Sequence, residues 1–307
     1  MTNISAGMVK DLRDKTGAGM MDCKAALAET AGDVEAAVDW LRKKGLAKAA
    51  KKAGRIAADG LIGIATKGGR GAVVEVNSET DFVARGDEFQ NFVRKASQQA
   101  LTAEGDLERL LASAHEGGGT TAEVLAALVG KIGENMSVRR SAALSVEPGI
   151  VASYVHNAVA PDLGKIGVLV ALQSSGDSAK LMALGKQLAM HVAAANPIAL
   201  NVESIPPDVA ARERAIYADQ ARQSGKPENV IEKMIEGRLR KFYEESVLLQ
   251  QVFVVDGETP VGKVVQNAAK DVGAPVTVTG FIRFAVGEGI DKPTTDFAAE
   301  VKATAGL

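Results

Sequence analysis

Apolar residues along this chain change their spacing several times, and each change marks an expected element. After Ser5, whose hydroxyl suits a helix cap, Met8, Val9 and Leu12 recur at three- and four-residue steps until Gly17 and Gly19 end the run. A second helix is expected over residues 20–31, burying Met21, Ala25 and Ala28, with Gly32 breaking it. Asp33 then caps a third helix with Val34, Ala37, Val38 and Leu41 on one face, and Gly45 is expected to stop it. Three short helices with glycine hinges make a compact bundle, followed by a basic connector.

Beyond that point helical and alternating patterns mix. Residues 61–65, a Gly68-Gly69 turn and residues 72–77 read as a β-hairpin. Phe89, Phe92, Val93 and Ala96 mark an amphipathic helix, and Leu125, Leu128, Val129 and Ile132 mark another after a glycine-rich loop. Val138, Ala142, Leu144 and Val146 suggest a half-buried strand carrying Arg140. The second half repeats this grammar. Residues 151–155 and 166–172 are expected strands, and a helix with Leu181, Leu184, Leu188 and Val192 follows. Residues 252–255 read as a short strand, Thr259-Pro260 opens a helix, and Val276, Val278, Ile282, Phe284 and Val286 alternate as the last strand. Two units of similar order suggest a structural duplication.

One insertion behaves differently. Pro206-Pro207 opens a polar helix, residues 225–227 turn it, and a second helix runs to about residue 245. Ile216 and Ala221 are expected to face Ile231, Met234, Ile235 and Leu239, a thin apolar seam between charged faces. Such a projecting helical hairpin usually meets a partner or a second copy of itself. The expected class is α+β, with antiparallel sheets. Its boundaries are an N-terminal helical module and connector at 1–55, a first core half at 56–148, and a second core half at 149–200 and 247–284. The inserted hairpin occupies 201–246 and a C-terminal helical module 285–307.

Composition narrows the function. The 307 residues carry a formal charge of -2, without the basic excess of a bulk nucleic-acid binder, so no nucleic-acid partner is expected. No run of about 20 apolar residues suggests a membrane span, and no apolar leader opens the chain, so a soluble cytoplasmic protein is expected. The single cysteine, Cys23, fits packing on an apolar helix face. His115, His156 and His191 lack metal-ligand spacing, and no metal or cofactor is expected. Lys43, Lys44, Lys48, Lys51, Lys52 and Arg55 have no interleaved aromatics to stack on bases, which favours a solvated helix face. The stretch from Gly257 to Val264 has much of a phosphate loop's spacing, but Val264 replaces the magnesium-binding hydroxyl and Pro260 removes an amide. Ser78 to Phe89 reads SETDFVARGDEF. Locally, Ser78 or Thr80 caps a turn, Asp81 complements a helix start and Phe82 packs inward. The alternative is that the carboxylate and aromatic are offered together to another protein.

Several longer stretches carry a resemblance: LRDKTGAGMMDCKAAL, AAKKAGRIAADG, VNSETDFVARGDEF, KIGENMSVRR, IGVLVAL, HVAAANP, QSGKPENVIEKMIEGRLRKF and TGFIRFAVGEGI. Together, and in this order over nearly the whole chain, they resemble the translation elongation factor Ts family. The resemblance implies a guanine nucleotide exchange factor, with no catalytic site, that binds elongation factor Tu with GDP and promotes GDP release. It implies an N-terminal helical module, and that three-helix unit itself resembles ubiquitin-associated domains. It also implies that Asp81 and Phe82, flanked by Thr80 and Val83, enter the partner's nucleotide domain and disturb its magnesium site. Lys24, Ile132, Gly133, His156, Val254 and Val255 match further partner contacts, and the segment holding Thr295 to Phe297 matches the C-terminal module. After His156, the stretch NAVAPDLGK is longer than the family's short link. Some members dimerise through the core or hairpin. Two other classes remain open here, a nucleotide hydrolase built on Gly257 and a helical adaptor without effect on GDP.

Overall fold

The computed structural model describes residues 4–16, 18–115, 118–223, 225 and 227–291. Helices α1 (Ala6–Thr16), α2 (Met20–Glu29) and α3 (Val34–Lys52) form the N-terminal bundle around Leu12, Cys23, Ala26, Leu27 and Ala37. Ser5 and Asp33 act as caps, accepting from the amides of Met8 and Ala36 at 3.2 and 3.0 Å. The second helix buries a different face from the one expected. Met21 is exposed, whereas Cys23 and Leu27, the two bulkier inward choices, are fully covered. Alanines on both sides of α2 gave the periodicity two nearly equal solutions.

Gly45 does not end the third helix. Instead α3 continues to Lys52, because Gly45 lies where another helix crosses closely. Strands β1 (Asp59–Lys67) and β2 (Arg70–Ser78) form a hairpin, followed by α4 (Asp81–Arg85), α5 (Asp87–Thr102), α6 (Leu107–Ala112) and α7 (Thr121–Ile132). The crossing partner is α7: a Cβ at Gly130 would stand 3.1 Å from the Cα of Gly45. Arg42 pairs with Glu123, and the Lys52 ammonium donates to the Gly133 carbonyl, so the two helices are joined along their length. A large side chain at Gly130 must push them apart, at a typical overpacking cost of about 1–3 kcal/mol. Gly130→Leu is therefore expected to speed proteolysis of the 53–58 connector, while Gly45→Ala, whose Cβ has 3.7 Å to Ala127, leaves the cleavage rate unchanged.

The strands β3 (Met136–Ser145), β4 (Gly149–His156), β5 (Leu163–Gly164) and β6 (Ile166–Gln173) lead into α8 (Ser178–Ala195). A short 3-10 turn then precedes α9 (Pro207–Arg222) and α10 (Glu228–Ser246), and α11 (Val261–Val272) and β7 (Thr277–Ala285) close the described core. One antiparallel sheet has the order β3-β2-β1-β5 and the other β4-β6-β7. Ile62, Ile64 and Val73 of the first meet Val151, Leu169, Ala171 and Phe284 of the second. The first sheet's other face packs under α4 to α7, through Leu61, Val74, Val76, Phe89 and Val93. The second sheet's other face packs under α8 and α11, through Val168, Val170, Leu188 and Val265. Helices, sheet, sheet and helices make four layers, and the α+β class stands.

Two further expectations are corrected. Residues 252–255 form no strand: Val252 makes one isolated bridge to Pro260, and residues 254–256 turn. Asp256 and Gly257 close this turn, overriding the β-branched run. In the hairpin, Ala221 packs with Ile231, Ile235 and Leu239 as expected, but Ile216 is exposed and Tyr217 occupies the seam. The expected C-terminal module, with Thr295 to Phe297, lies outside the described residues apart from its first positions.

A carboxylate sits where the two sheets meet. Glu75 alternates with Val73 on the inward face of β2 and is fully buried. It accepts from Arg139 at 3.2 Å, Arg140 at 2.5 Å and the Gly287 amide at 2.7 Å. Arg140 also covers the Phe284 ring at 4.1 Å and donates to the Ala285 carbonyl at 3.0 Å. The charge that interrupts β3 is thus the counter-ion of a hidden carboxylate.

Candidate functional site

Strand β2 is buried on both faces up to Ser78, and the chain turns sharply there. The Ser78 hydroxyl donates to the Thr80 carbonyl at 2.9 Å. The turn is braced from just beyond the end of α7. Glu134 accepts from the Thr80 amide at 3.1 Å and from the Thr80 hydroxyl at 2.8 Å. Glu79 reaches back to accept from the Asn135 amide and pairs with Arg55 at 3.5 Å. The Asn135 side chain donates to the Arg55 carbonyl at 2.7 Å. Strand end, helix end and basic connector therefore share one polar mount.

On that mount sits α4, five residues long. Ala84 is buried and Val83 packs against the first core, so one side of the short helix is anchored. Asp81 stands at its first position and pairs with Arg85 at 2.7 Å, four residues on. Phe82 points away and is 80% exposed, which overturns the inward-packing reading of this residue. Beside it runs an open cleft of about 540 Å³ lined by Asp81, Arg85, Gln90, Asn157, Val159 and Lys165. The long stretch after His156 supplies the far wall and adds β5 to the edge of β1.

The remaining candidates fall in several places. Ile132 and Gly133 end α7 immediately before Glu134, so they stand beside the Thr80 mount; Gly133 takes the left-handed φ of 91° that ends the helix. His156 is exposed at the end of β4, with Nδ1 3.3 Å from the Tyr154 hydroxyl. Lys24 is exposed on α2, in the N-terminal bundle. Val254 and Val255 are 45% and 48% exposed on the turn before α11. Sequence reasoning missed Glu79, Glu134 and Asn135. No local signal in SETDF points to them, because Glu134 and Asn135 lie more than 50 residues along the chain from Thr80 and Glu79.

The basic connector has specific partners. Lys44 and Lys48 hold Asp22 between them at 3.0 and 2.9 Å, and these bonds lower the Asp22 pKa against the opposing effect of its partial burial. Lys52 and Arg55 join the mount just described. The Gly257 loop is closed in on itself. Asp256 accepts from the amides of Glu258 and Thr259, both at 3.0 Å, which lowers its own pKa. The amides of Gly257, Val261 and Gly262 are taken by the carbonyls of Phe253, Gln251 and Leu249. A phosphate would find a carboxylate where it needs amides, so this is no nucleotide cradle. Among the described residues no group of three metal-ligating side chains comes together, and no helix is long and apolar enough to cross a membrane.

Together these residues present an exposed aromatic beside a carboxylate, on a hydrogen-bonded turn at the edge of an α+β scaffold, a form suited to contact with another protein. Residues 79–288 match the family model described as Elongation factor TS. The chain is 63% identical over 307 residues, the whole of both chains, to "Elongation factor Ts" of Rhodospirillum centenum. It is 61% identical to that of Rhodospirillum rubrum over 99% of each chain, and 57% identical to that of Maricaulis maris over 100% of this chain and 99% of the relative. The chain belongs to the elongation factor Ts family, the nucleotide exchange factors that serve elongation factor Tu in translation elongation.

Proposed function

We propose that this chain binds elongation factor Tu in its GDP-bound form and opens the nucleotide site with Asp81 and Phe82, so that GDP leaves and GTP can load. The observation that carries this reading is the exposure of Phe82 on a turn fixed by Glu134. A large aromatic is otherwise driven inward, and side chains of this kind dominate protein contacts. Thr80 and Val83 hold the tip from behind, and Ile132, Gly133 and His156 extend the contact around it. Lys24 and Val254–Val255 are further contacts on the N-terminal bundle and the second core half. The division into modules at 1–55, 56–148, 149–200 with 247–284, 201–246 and 285–307 belongs to the same proposal, as does a place in the cytoplasm.

The required effect has a definite size. A partner holding GDP at nanomolar affinity, with association near ~10⁶ M⁻¹s⁻¹, releases it in roughly a thousand seconds. About ten releases per second demand a ~10⁴-fold gain, or ~5.5 kcal/mol off the barrier. Magnesium and phosphate contacts are charge-assisted and strong, so disturbing them reaches that size. Linkage makes the effect reciprocal: nucleotide rebinding weakens the factor's own hold and frees it. No bond in the factor changes, so it needs no catalytic group or cofactor.

The experiment is to follow fluorescent GDP leaving elongation factor Tu as this protein is added. Faster release, without nucleotide binding to the isolated chain, supports the proposal. Binding with no change in release would leave only an adaptor. The projecting hairpin or the core is the candidate surface for a second copy of the chain, separate from the Asp81–Phe82 tip. Replacing residues 206–245 by a short linker is therefore expected to keep the exchange rate within about two-fold. Complete loss of exchange in a folded deletion variant would place the hairpin in the mechanism.

A further inference from the structure

Beneath the exposed turn before α11 lies a fully buried histidine whose ring bonds fix its protonation. His191, on α8, has Nε2 2.9 Å from Oε1 of Gln251. Gln251 is itself oriented: its amide nitrogen donates to the carbonyls of Glu245 at 2.7 Å and Ala195 at 3.4 Å. Its oxygen must therefore accept from His191, so Nε2 carries the proton and Nδ1 is a bare acceptor. That acceptor takes the backbone amide of Val254 at 3.2 Å. Burial lowers the His191 pKa, more than the Gln251 bond raises it, and keeps the ring neutral.

The turn so held has an unusual surface. Phe253 is inside, 5.8 Å from the His191 ring, while Val252, Val254 and Val255 are 51%, 45% and 48% exposed. Three β-branched residues face outward in a turn, where their local preference is for a strand. The Phe253 amide donates to the Thr259 carbonyl and the Gly257 amide to the Phe253 carbonyl, closing the turn's base. The Val254 amide is held by the histidine alone among the bonds described.

We infer that His191 is the positioning residue for this contact surface, its unprotonated Nδ1 pinning Val254 so that Val252, Val254 and Val255 form one preset apolar face for elongation factor Tu. The inference rests on the proposed contact of Val254 and Val255 with the partner. Preset contact residues lose less freedom on binding, so the loss of the pin appears as weaker affinity. Through Gln251 the same ring ties the turn to the end of α10, at the base of the hairpin.

Two near-isosteres separate this role from simple packing. An asparagine oxygen stands close to the position of Nδ1, whereas a glutamine amide stands close to Nε2. His191→Asn keeps the acceptor for Val254, and His191→Gln keeps only the bond toward Gln251. Both lose the ring contact with Phe253, so both should melt earlier by similar amounts. Affinity for nucleotide-free elongation factor Tu is expected to stay within about two-fold for the asparagine variant and fall about ten-fold for glutamine, the scale of one hydrogen bond. Equal affinities for the two variants would overturn the inference. Nitrogen NMR on the unaltered chain gives a second reading: an Nδ1-protonated ring would overturn it without any mutant. Val254→Asp is the control for the underlying contact. If that variant binds normally, the turn does not touch the partner; if it binds weakly while asparagine and glutamine behave alike, only the role of His191 fails.

Discussion

Phe82→Ala is expected to leave this protein as stable as before and to slow GDP release from elongation factor Tu by roughly 30-fold or more, about 2 kcal/mol of lost assistance. The side chain is 80% exposed, so its removal takes little from the core, and substitutions at such positions usually change stability by less than ~0.5 kcal/mol. Its anchors, Val83 and Ala84, stay in place, and Glu134 still holds Thr80. Stopped-flow release of fluorescent GDP, with a thermal melt of the variant alone, measures both halves. Release at the unaltered rate would remove Phe82 from the mechanism.

Glu75→Ala should do the reverse. It empties the junction between the sheets and leaves Arg139, Arg140 and the Gly287 amide without their common acceptor. Removing one partner of a buried charge cluster typically costs 3–5 kcal/mol. The arginines are 28% and 31% exposed and can regain water, so about 3 kcal/mol is expected here, read as a lower midpoint in urea. Glu75→Gln, which keeps an acceptor for Gly287, should lose less. At temperatures where either variant is fully folded, the exchange rate per molecule should match the unaltered protein, since the tip is untouched. An unfolding free energy within about 1 kcal/mol of the original would mean that the cluster contributes little net stability.

Much of the architecture was legible because strongly periodic segments leave little choice. Phe89, Phe92, Val93 and Ala96 all fall on the buried face of α5, and Asp33 caps α3 as its chemistry suggests. Difficulty arose where long-range packing overrode a local signal. Gly45 is a helix breaker by propensity, yet α3 runs through it where α7 packs closely, and it is at Gly130 that an added Cβ would press on the Gly45 backbone. The run at 252–255 has strand propensity, but Asp256 and Gly257 fold it into a turn and the inward demand is met by Phe253 alone. The resemblance supplied the candidate site residues, but residue pattern could not decide which way Phe82 faces. A phenylalanine seven residues before Phe89 fits an inward face equally well. Its exposure follows from α4 being so short that Val83 and Ala84 use up the inward side. The bracing by Glu134 spans 54 residues of chain, and no local pattern encodes it.

Strand β2 is covered on both faces from Gly71 to Ser78, and the tip follows directly from its end. A wedge works only when it yields less than the material it enters. Here the reaction force of insertion would pass along a strand sandwiched between two cores, with no soft hinge to absorb it. The insertion proposed above would therefore be made by a tip backed by a fully covered strand.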